Sequence, residues 1–355
     1  MRNFTFKGLF VTAVFILLGC LSIQAADDDL ITKQITIKLD EAGTLPDKIG
    51  SSRMYKITNL KIVGEIDGTD WDMIRMMAGR DYHGDVTKGN LSVLDLSEAK
   101  IVNGGGYYYY DDYDGWSYRY GTYYDKIGDY AFKGCSGLTS LTLPATITTI
   151  GKYAFEDCTG LTSLNLPAGI TSIGRCAFGG CSGLTSLTLP AGITSISDEA
   201  FYLCSGLTSL TLPAGITEIG FSAFCGCSGL TSLTLPAGIT EIGSSAFSYC
   251  SGLTSIYVYS EKVPKIGSDV FYYVDKKKCT VYVPKGTYAD YRSSNFGYFE
   301  NIVEFDPTGI DKTTTSTDVE EVSRYSADGQ RLAVPVKGLN IVKYSDGSER
   351  KVVVK

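Results

Sequence analysis

Apolar positions between Ile127 and Tyr259 fall into one repeating phrase, Ile-Gly-x-x-Ala-Phe-x-x-Cys-Ser-Gly-Leu-Thr-Ser-Leu-Thr-Leu-Pro-Ala-Gly-Ile-Thr-x, written six times with a period of 23 residues. Leu141, Leu164, Leu187, Leu210, Leu233 and Ile256 form one column of it; Cys135, Cys158, Cys181, Cys204, Cys227 and Cys250 form another. A fixed period of this size predicts a solenoid, in which each coil buries its apolar side only against its neighbours. In Leu138-Thr-Ser-Leu141-Thr-Leu143 the alternation predicts a short strand with leucines inward and Ser140 and Thr142 outward. Pro144 ends it, having no N–H for a ladder, and the glycine of each later Pro-Ala-Gly is expected to permit the turn after it. Ile147 and Ile150 predict a second extended stretch, and Ala131-Phe132 with its counterparts Phe155, Phe178, Phe201, Phe224 and Phe247 predicts one helical or 3-10 turn per coil. At the parallel-strand spacing of ~4.8 Å the six coils span roughly 25 to 30 Å.

The pattern LxxLxLPxxIxxIGxxAFxxCxxL resembles the leucine-rich repeats of the BspA type, a bacterial family. The resemblance covers the six copies and, less strictly, most of residues 30 to 306. It implies a leucine-rich repeat solenoid, α/β but mostly β, with a parallel concave sheet and short helical or 3-10 turns. Members are secreted or surface-attached proteins of host-associated bacteria, several implicated in adherence and in binding matrix proteins or other bacteria. The resemblance therefore implies binding or adhesion, and names no ligand.

The flanks read differently. Residues 1–26 are expected to be a signal peptide, with Arg2 and Lys7 ahead of an apolar run from Leu9 to Leu18. Leu17-Leu18-Gly19-Cys20 looks like a lipobox that would leave a lipid anchor on Cys20. Gln24-Ala25-Ala26 suits ordinary cleavage, favoured because Leu21-Ser22-Ile23 prolongs the apolar segment. Either route exports the chain to the medium or the outer cell surface, and no later stretch approaches the ~18 apolar residues of a transmembrane helix. Residues 27–126 are expected to form an N-terminal cap with irregular coils. Its strands are predicted at Ile31 to Leu39 and Leu60 to Val63, with a worn LxxLxL from Leu91 to Leu96. A helix is predicted there with Thr69 as N-cap, Trp71, Ile74 and Met77 buried, and Gly79 as its stop. Gly104 to Tyr124 is an insertion with nine Tyr and one Trp. After the perfect copies at 127–259, residues 260–306 read as a degenerate repeat and C-terminal cap, 307–318 as a polar linker, and 319–355 as a small all-β module of three or four strands. That module is similar in outline to the C-terminal modules, some of them sorting signals, of secreted proteins from the same bacterial group.

Composition narrows the chemistry. A net charge of −7 and a pI near 4.9, with no long Lys/Arg stripe, argue against nucleic acid as a partner. The one histidine, His83, stands alone in a polar loop, and GxSxG, HExxH, CxxC and phosphate-cradling loops are missing from the sequence. The expectation is no enzyme, no cofactor and no metal site, for Asp112-Tyr-Asp114-Gly115 lacks the distal bidentate Glu of a calcium loop. Ten cysteines in an exported chain would ordinarily suggest disulfides, but six share one inward slot, which predicts packed free thiols. Binding remains, on a monomer, to an extracellular protein or a glycan. One candidate surface is the concave face: Ser140, Thr142, Ser163, Asn165, Ser186, Thr188, Ser209, Thr211, Ser232, Thr234, Ser255, Tyr257 and Tyr259. The other is the aromatic insertion: Tyr107, Tyr108, Tyr109, Tyr110, Tyr113, Trp116, Tyr118, Tyr120, Tyr123 and Tyr124, which reads either as a binding loop or as a cap folded over the sheet edge. The function expected is macromolecular binding by a secreted or cell-surface protein, directed at host matrix or neighbouring-cell proteins; the alternative is a carbohydrate-binding module.

Overall fold

Strands β1 (Ile35–Lys38), β2 (Asn59–Ile66) and β3 (Val93–Ile101) pair in parallel, and Ser140–Thr142 of the first repeat joins β3 with Leu94 beside Leu141. The irregular N-terminal segment is thus already in register with the repeats. The structure is a computed structural model, described for residues 30–113, 116–307, 321–326, 331–332, 338–344 and 349–354.

Each coil has three sides. The first is the strand predicted from LxxLxL, with Leu187 beside Leu210 and Leu233 beside Ile256. The ladder thins at Ser163, held to Ser186 by a single bridge, where Asn165 replaces the Thr of other copies. Asn is a poor strand residue, since its side chain competes for backbone groups. The second side is a two-residue strand that includes Ile127, Ile150, Ile173, Ile196, Ile219 or Ile242.

The third side departs from expectation. No helical turn forms at Ala-Phe. A run of linked turns stands there instead, in which Ala131 N donates to Gly128 O, Lys133 N to Tyr130 O and Cys135 N to Phe132 O. Every second N–H points along the solenoid: Tyr130, Phe132 and Gly134 donate to the carbonyls of Lys152, Ala154 and Glu156 at 2.7–2.9 Å. To aim alternate N–H groups outward the backbone enters the left-handed region twice per coil, as at Tyr130 (φ 60°) and Gly134 (φ 73°), or Ser245 (φ 57°) and Tyr249 (φ 59°). A helix would keep those donors for itself and leave the next coil's carbonyls unpaired.

Between the three sides run columns of identical side chains. Phe132, Phe155, Phe178, Phe201, Phe224 and Phe247 stack with centroids 5.1–5.4 Å apart and planes within 11°. The cysteine column lies beside them, buried throughout and free of disulfides. From the second copy on, its thiols donate one coil back: Cys158 Sγ to Phe132 O at 3.1 Å, Cys181 to Phe155 and Cys204 to Phe178 at 3.0 Å.

The glycines that matter are not those of Pro-Ala-Gly. Those keep ordinary φ, and Thr146 fills the slot in the first copy; the turn is closed by Ile170 N donating to Pro167 O. The Ser-Gly-Leu glycine is needed for closeness: a Cβ on Gly160, Gly183, Gly206, Gly229 or Gly252 would lie 2.2–2.6 Å from a carbonyl of the preceding coil. The coils can stack at this spacing only without that methyl.

On the turn side the first coil has no preceding coil, so its outward carbonyls there need other donors. Helix α1 (Leu45–Ile49) and helix α2 (Gly68–Met77) precede it. From α2, Trp71 Nε1 donates to Ala131 O at 3.0 Å, and the buried Arg75 donates to Tyr130 O at 2.7 Å and Ala131 O at 3.1 Å. Ala131 O is the counterpart of Ala154 O, which Phe132 N satisfies in the next coil, whereas Tyr130 O also accepts from Lys133 N in its own coil. The N-cap of α2 is Asp67, not Thr69: Asp67 and Asp70 form a reciprocal capping box, and Asp70 also accepts from Gly43 N and Leu45 N. Thr69 lies inside the helix, its hydroxyl accepting from Gly106 N. Trp71, Ile74 and Met77 are buried as the periodicity predicts.

At the far end Thr280–Pro284 and Asn301–Phe305 extend the strand side, and helix α3 (Tyr288–Arg292) with a 3-10 turn brings Tyr291, Phe296 and Phe299 over the last Phe column member, Phe271. Among the described residues of the tail, Glu321–Ser326, Arg331–Leu332, Gly338–Tyr344 and Glu349–Val354 pair as an antiparallel sheet. No helix of the described residues is long and apolar enough to cross a membrane. Cys20 and the rest of residues 1–29, and residues 308–320, which hold all of the expected linker but Pro307 and the first two residues of the expected module, lie outside the described residues.

Candidate functional site

Ser140, Thr142, Ser163, Asn165, Ser186, Thr188, Ser209, Thr211, Ser232 and Thr234 are all exposed on the strand side. Their hydroxyls lie in rows, Ser186 beside Ser209 and Thr188 beside Thr211. The Thr one position before each outward Ser works between coils instead. Thr185, Thr208 and Thr254 donate to the carbonyl of the same Thr one coil earlier at 3.1–3.2 Å. From Ser140 to Thr234 the outward face is uncharged and carries only small side chains.

It ends in aromatics. Tyr257 lies parallel to Tyr282 at 4.5 Å, and Phe305 sets its edge against Tyr257 and Tyr259 at 6.2 and 5.2 Å. Lys351 of the tail places its ammonium 4.6 Å from the Tyr259 centroid. The repeat pattern singles out Tyr257 and Tyr259 but not Tyr282 and Phe305. The signal was present, since Tyr282 holds the same strand position as Tyr257 and Phe305 pairs with Pro284 of that strand.

The insertion is a hairpin of β4 (Gly104–Tyr113) and β5 (Trp116–Thr122). Its glycine-rich root is explained by contact: a Cβ on Gly105 would meet Asp67, and one on Gly68 would meet Gly106 O. The hairpin splits the candidate residues by face. Tyr108 is buried, packs on Trp71 and donates to Asp129 O at 2.9 Å, another first-coil carbonyl without a preceding coil; burial pushes its phenol far above the usual range. Tyr109 is buried too, stacked on Tyr130 at 4.6 Å with the Arg75 guanidinium over its ring. Tyr120 leans on Tyr130. These three belong to the cap. Tyr107, Tyr118, Tyr123 and Tyr124 are exposed, and Tyr110 is half-buried against Tyr82 and His83. The side chains of Tyr113 and Trp116 lie outside the described residues. Because the hairpin packs on the turn row through Tyr130, it stands on a different side from the hydroxyl rows, and the structure does not join the two candidate surfaces.

A third surface escapes the sequence pattern. On the turn row of the later coils, Tyr202, Phe221, Tyr249 and Tyr272 are exposed around an open groove of about 630 Å3, with the exposed Tyr273 packed against Tyr249 and Tyr272. They occupy the x positions of the repeat, which carry no periodic signal. No group of three or more His, Cys, Asp or Glu side chains able to hold a metal ion occurs among the described residues.

The model of the BspA type leucine-rich repeat region matches residues 125–228 and 173–303, in 6 copies. The chain belongs to the BspA-type leucine-rich repeat family. No match was found among curated proteins. Among solved structures, this BspA-type chain is similar to a leucine-rich repeat protein from Bacteroides ovatus at 21% identity, over 76% of this chain and 69% of that one, with a TM-score of 0.40. It is similar to a leucine-rich repeat protein of T. pallidum at 25% identity, over 48% and 88%, with a TM-score of 0.36. A leucine-rich cell surface protein from Faecalibacterium prausnitzii shares 32% identity over 44% of this chain and 47% of that one, with a TM-score of 0.33.

Proposed function

We propose that this BspA-type protein is an exported, non-enzymatic binding protein of the cell surface, and that it engages an extracellular protein. The observation that carries the reading is the strand side itself: rows of exposed, uncharged hydroxyls on a rigid stack of coils, ending in the Tyr257–Tyr282–Phe305 cluster. Small hydroxyls contribute little affinity each, whereas Tyr dominates measured hot spots. The aromatic end therefore supplies most of the binding energy and the hydroxyl rows supply fit. The exposed hairpin tyrosines, Tyr107 beside Tyr110 and Arg119 on one face and Tyr118 on the other, offer further contacts of the same kind. Export rests on the charged and apolar pattern of residues 1–26.

The test is parallel binding of the chain to a panel of extracellular matrix proteins and to a glycan array, with Tyr257→Ala/Tyr282→Ala and Tyr107→Ala/Tyr118→Ala variants. Affinity for a protein ligand reduced about tenfold or more in the first variant supports the strand side. Loss only in the second moves the site to the hairpin, and a glycan hit with no protein hit refutes the proposal.

A further inference from the structure

The turn row shows how this chain handles a cation. Lys133 places its ammonium 5.3 Å from the Tyr130 centroid and 5.4 Å from that of Tyr153, and 2.8 Å from a Glu156 carboxylate oxygen. Two tyrosine faces and one carboxylate, all from x positions of neighbouring coils, thus hold a positive charge on the turn side. In later coils the slot of Lys133 is filled by Tyr202, Cys225, Ser248 and Tyr272, so the cation disappears while rings and carboxylates remain.

There the rings form a corner. Tyr249 and Tyr273 stack at 4.7 Å, and Tyr272 stands nearly perpendicular to both, 5.7 Å from Tyr249 and 4.6 Å from Tyr273. Tyr202 and Phe221 line the rest of the groove, with Glu199 and Asp269 among its lining residues and no Lys or Arg. Glu199 is already gripped by Arg175, two guanidinium nitrogens lying 3.1 and 3.2 Å from its oxygens. Asp269 is exposed, one turn before Tyr272 on the same coil. A ring's negative face and an open carboxylate favour the same occupant.

We propose that this turn-side groove is a binding site separate from the strand side, taking a Lys or Arg side chain of an extended basic segment on a protein partner. Among Tyr249, Tyr272 and Asp269 the cation would have the kinds of partner, aromatic rings and a carboxylate, that Lys133 has in Tyr130, Tyr153 and Glu156, although in different slots, since Tyr272 stands where Lys133 does and Asp269 where Tyr130 does. A neutral sugar could stack on the same rings but would leave the carboxylate without a counter-charge, so the groove's chemistry selects a cation.

The test uses the whole chain and a short peptide alternating Arg with Gly, measured by calorimetry against a Gln-for-Arg peptide and neutral oligosaccharides. The Arg peptide should bind, weaken as salt rises, and lose about three- to tenfold in affinity with Asp269→Asn or Tyr272→Ala. Asn tolerates the left-handed backbone of Asp269 (φ 56°), so that variant keeps its fold, which circular dichroism verifies. Tyr257→Ala on the strand side should leave this binding unchanged, which separates the two sites. No binding of the Arg peptide, equal binding of the Gln peptide, indifference to Asp269→Asn, or an oligosaccharide held by the same tyrosines without salt dependence would each overturn the proposal.

Discussion

Raising the pH should unfold this solenoid abruptly, because its core is lined with thiols that cannot ionise in place. Burial pushes the Cys181 and Cys227 thiols up to about 12, and raises those of Cys135, Cys158, Cys204 and Cys250 as well. In the unfolded chain the same groups lose their protons near pH ~8.5. Above that pH the unfolded state binds fewer protons than the folded one, so stability falls with rising pH until the folded thiols themselves titrate, at about 12 for Cys181 and Cys227. Each such thiol costs ~1.4 kcal/mol per pH unit, and six together cost about 8. Against a total stability on the order of 10 kcal/mol, the fold should be lost one to two units above ~8.5, at about pH 10. Far-ultraviolet circular dichroism and thiolate absorbance should be followed together, in the presence of reductant. Both should change at one pH, and Cys181→Ala/Cys204→Ala should lower the slope of stability against pH by about a third. Thiolate absorbance that rises near pH ~9 while the circular dichroism stays native would refute the reasoning.

Three smaller predictions come from the stacking. Gly183→Ala puts a methyl 2.2 Å from Thr159 O and should cost ~1–3 kcal/mol in a chemical denaturation curve, whereas Gly215→Ala, whose Cβ meets nothing nearer than 3.9 Å, should be close to neutral. Arg75→Met strips a donor from the buried carbonyls of Tyr130 and Ala131 and should cost ~1–3 kcal/mol, lowering the melting temperature while protection of the later coils in hydrogen exchange persists. Cys181→Ala, which removes a small buried group and one weak donor, should cost ~1–2 kcal/mol, and mass spectrometry of alkylated, unreduced protein should find the column cysteines unbridged.

Much of this was legible in the chain because a solenoid repeats its own physics. One period fixes which side chains face inward, so the Leu, Ile, Phe and Cys columns follow from spacing, whereas the pairing of Leu60 with Leu94, 34 residues apart, lies outside the period and does not. What failed was local backbone. Ala-Phe reads as a helical turn by composition, but the pull of the next coil's carbonyls wins, and nothing in residues such as Tyr130 or Leu203 announces a positive φ. The glycines misled in the other direction, because a glycine before a turn and a glycine under a neighbouring carbonyl look alike in sequence. The cap was half legible. Burial of Trp71 follows from helical period, whereas its donation to Ala131 O depends on a partner 60 residues away. The insertion reads as one surface because nothing in a run of tyrosines says which face of the hairpin each will take.

The same repetition also decides where recognition can reside. Stacking occupies most of the period: Leu, Ile, Ala, Phe and Cys fill the columns, one glycine per coil yields to a carbonyl, and the Thr before each outward Ser is used between coils. The outward strand positions remain free but scarcely vary, since Ser and Thr recur with Asn165 and Tyr257 as the exceptions. A partner sliding by one coil along Ser186, Ser209 and Ser232 would meet the same atoms, so the rows alone cannot fix a register. The x positions of the turn row do vary: Asp129, Lys152, Arg175, Asp198, Phe221 and Ser244 occupy one slot in successive coils, where Asp129, Asp198 and Ser244 also accept an N–H of the next coil, and Tyr130, Tyr153, Cys176, Glu199, Ser222 and Ser245 the next. Side chains on this row can differ from coil to coil without touching a column, provided each tolerates its backbone. A partner that must find one place on this solenoid has to read either the aromatic end of the strand side or the turn row. Swapping Phe221 with Ser244, which leaves composition, charge and every column intact, should therefore alter binding in the turn-side groove and leave the strand side unaffected.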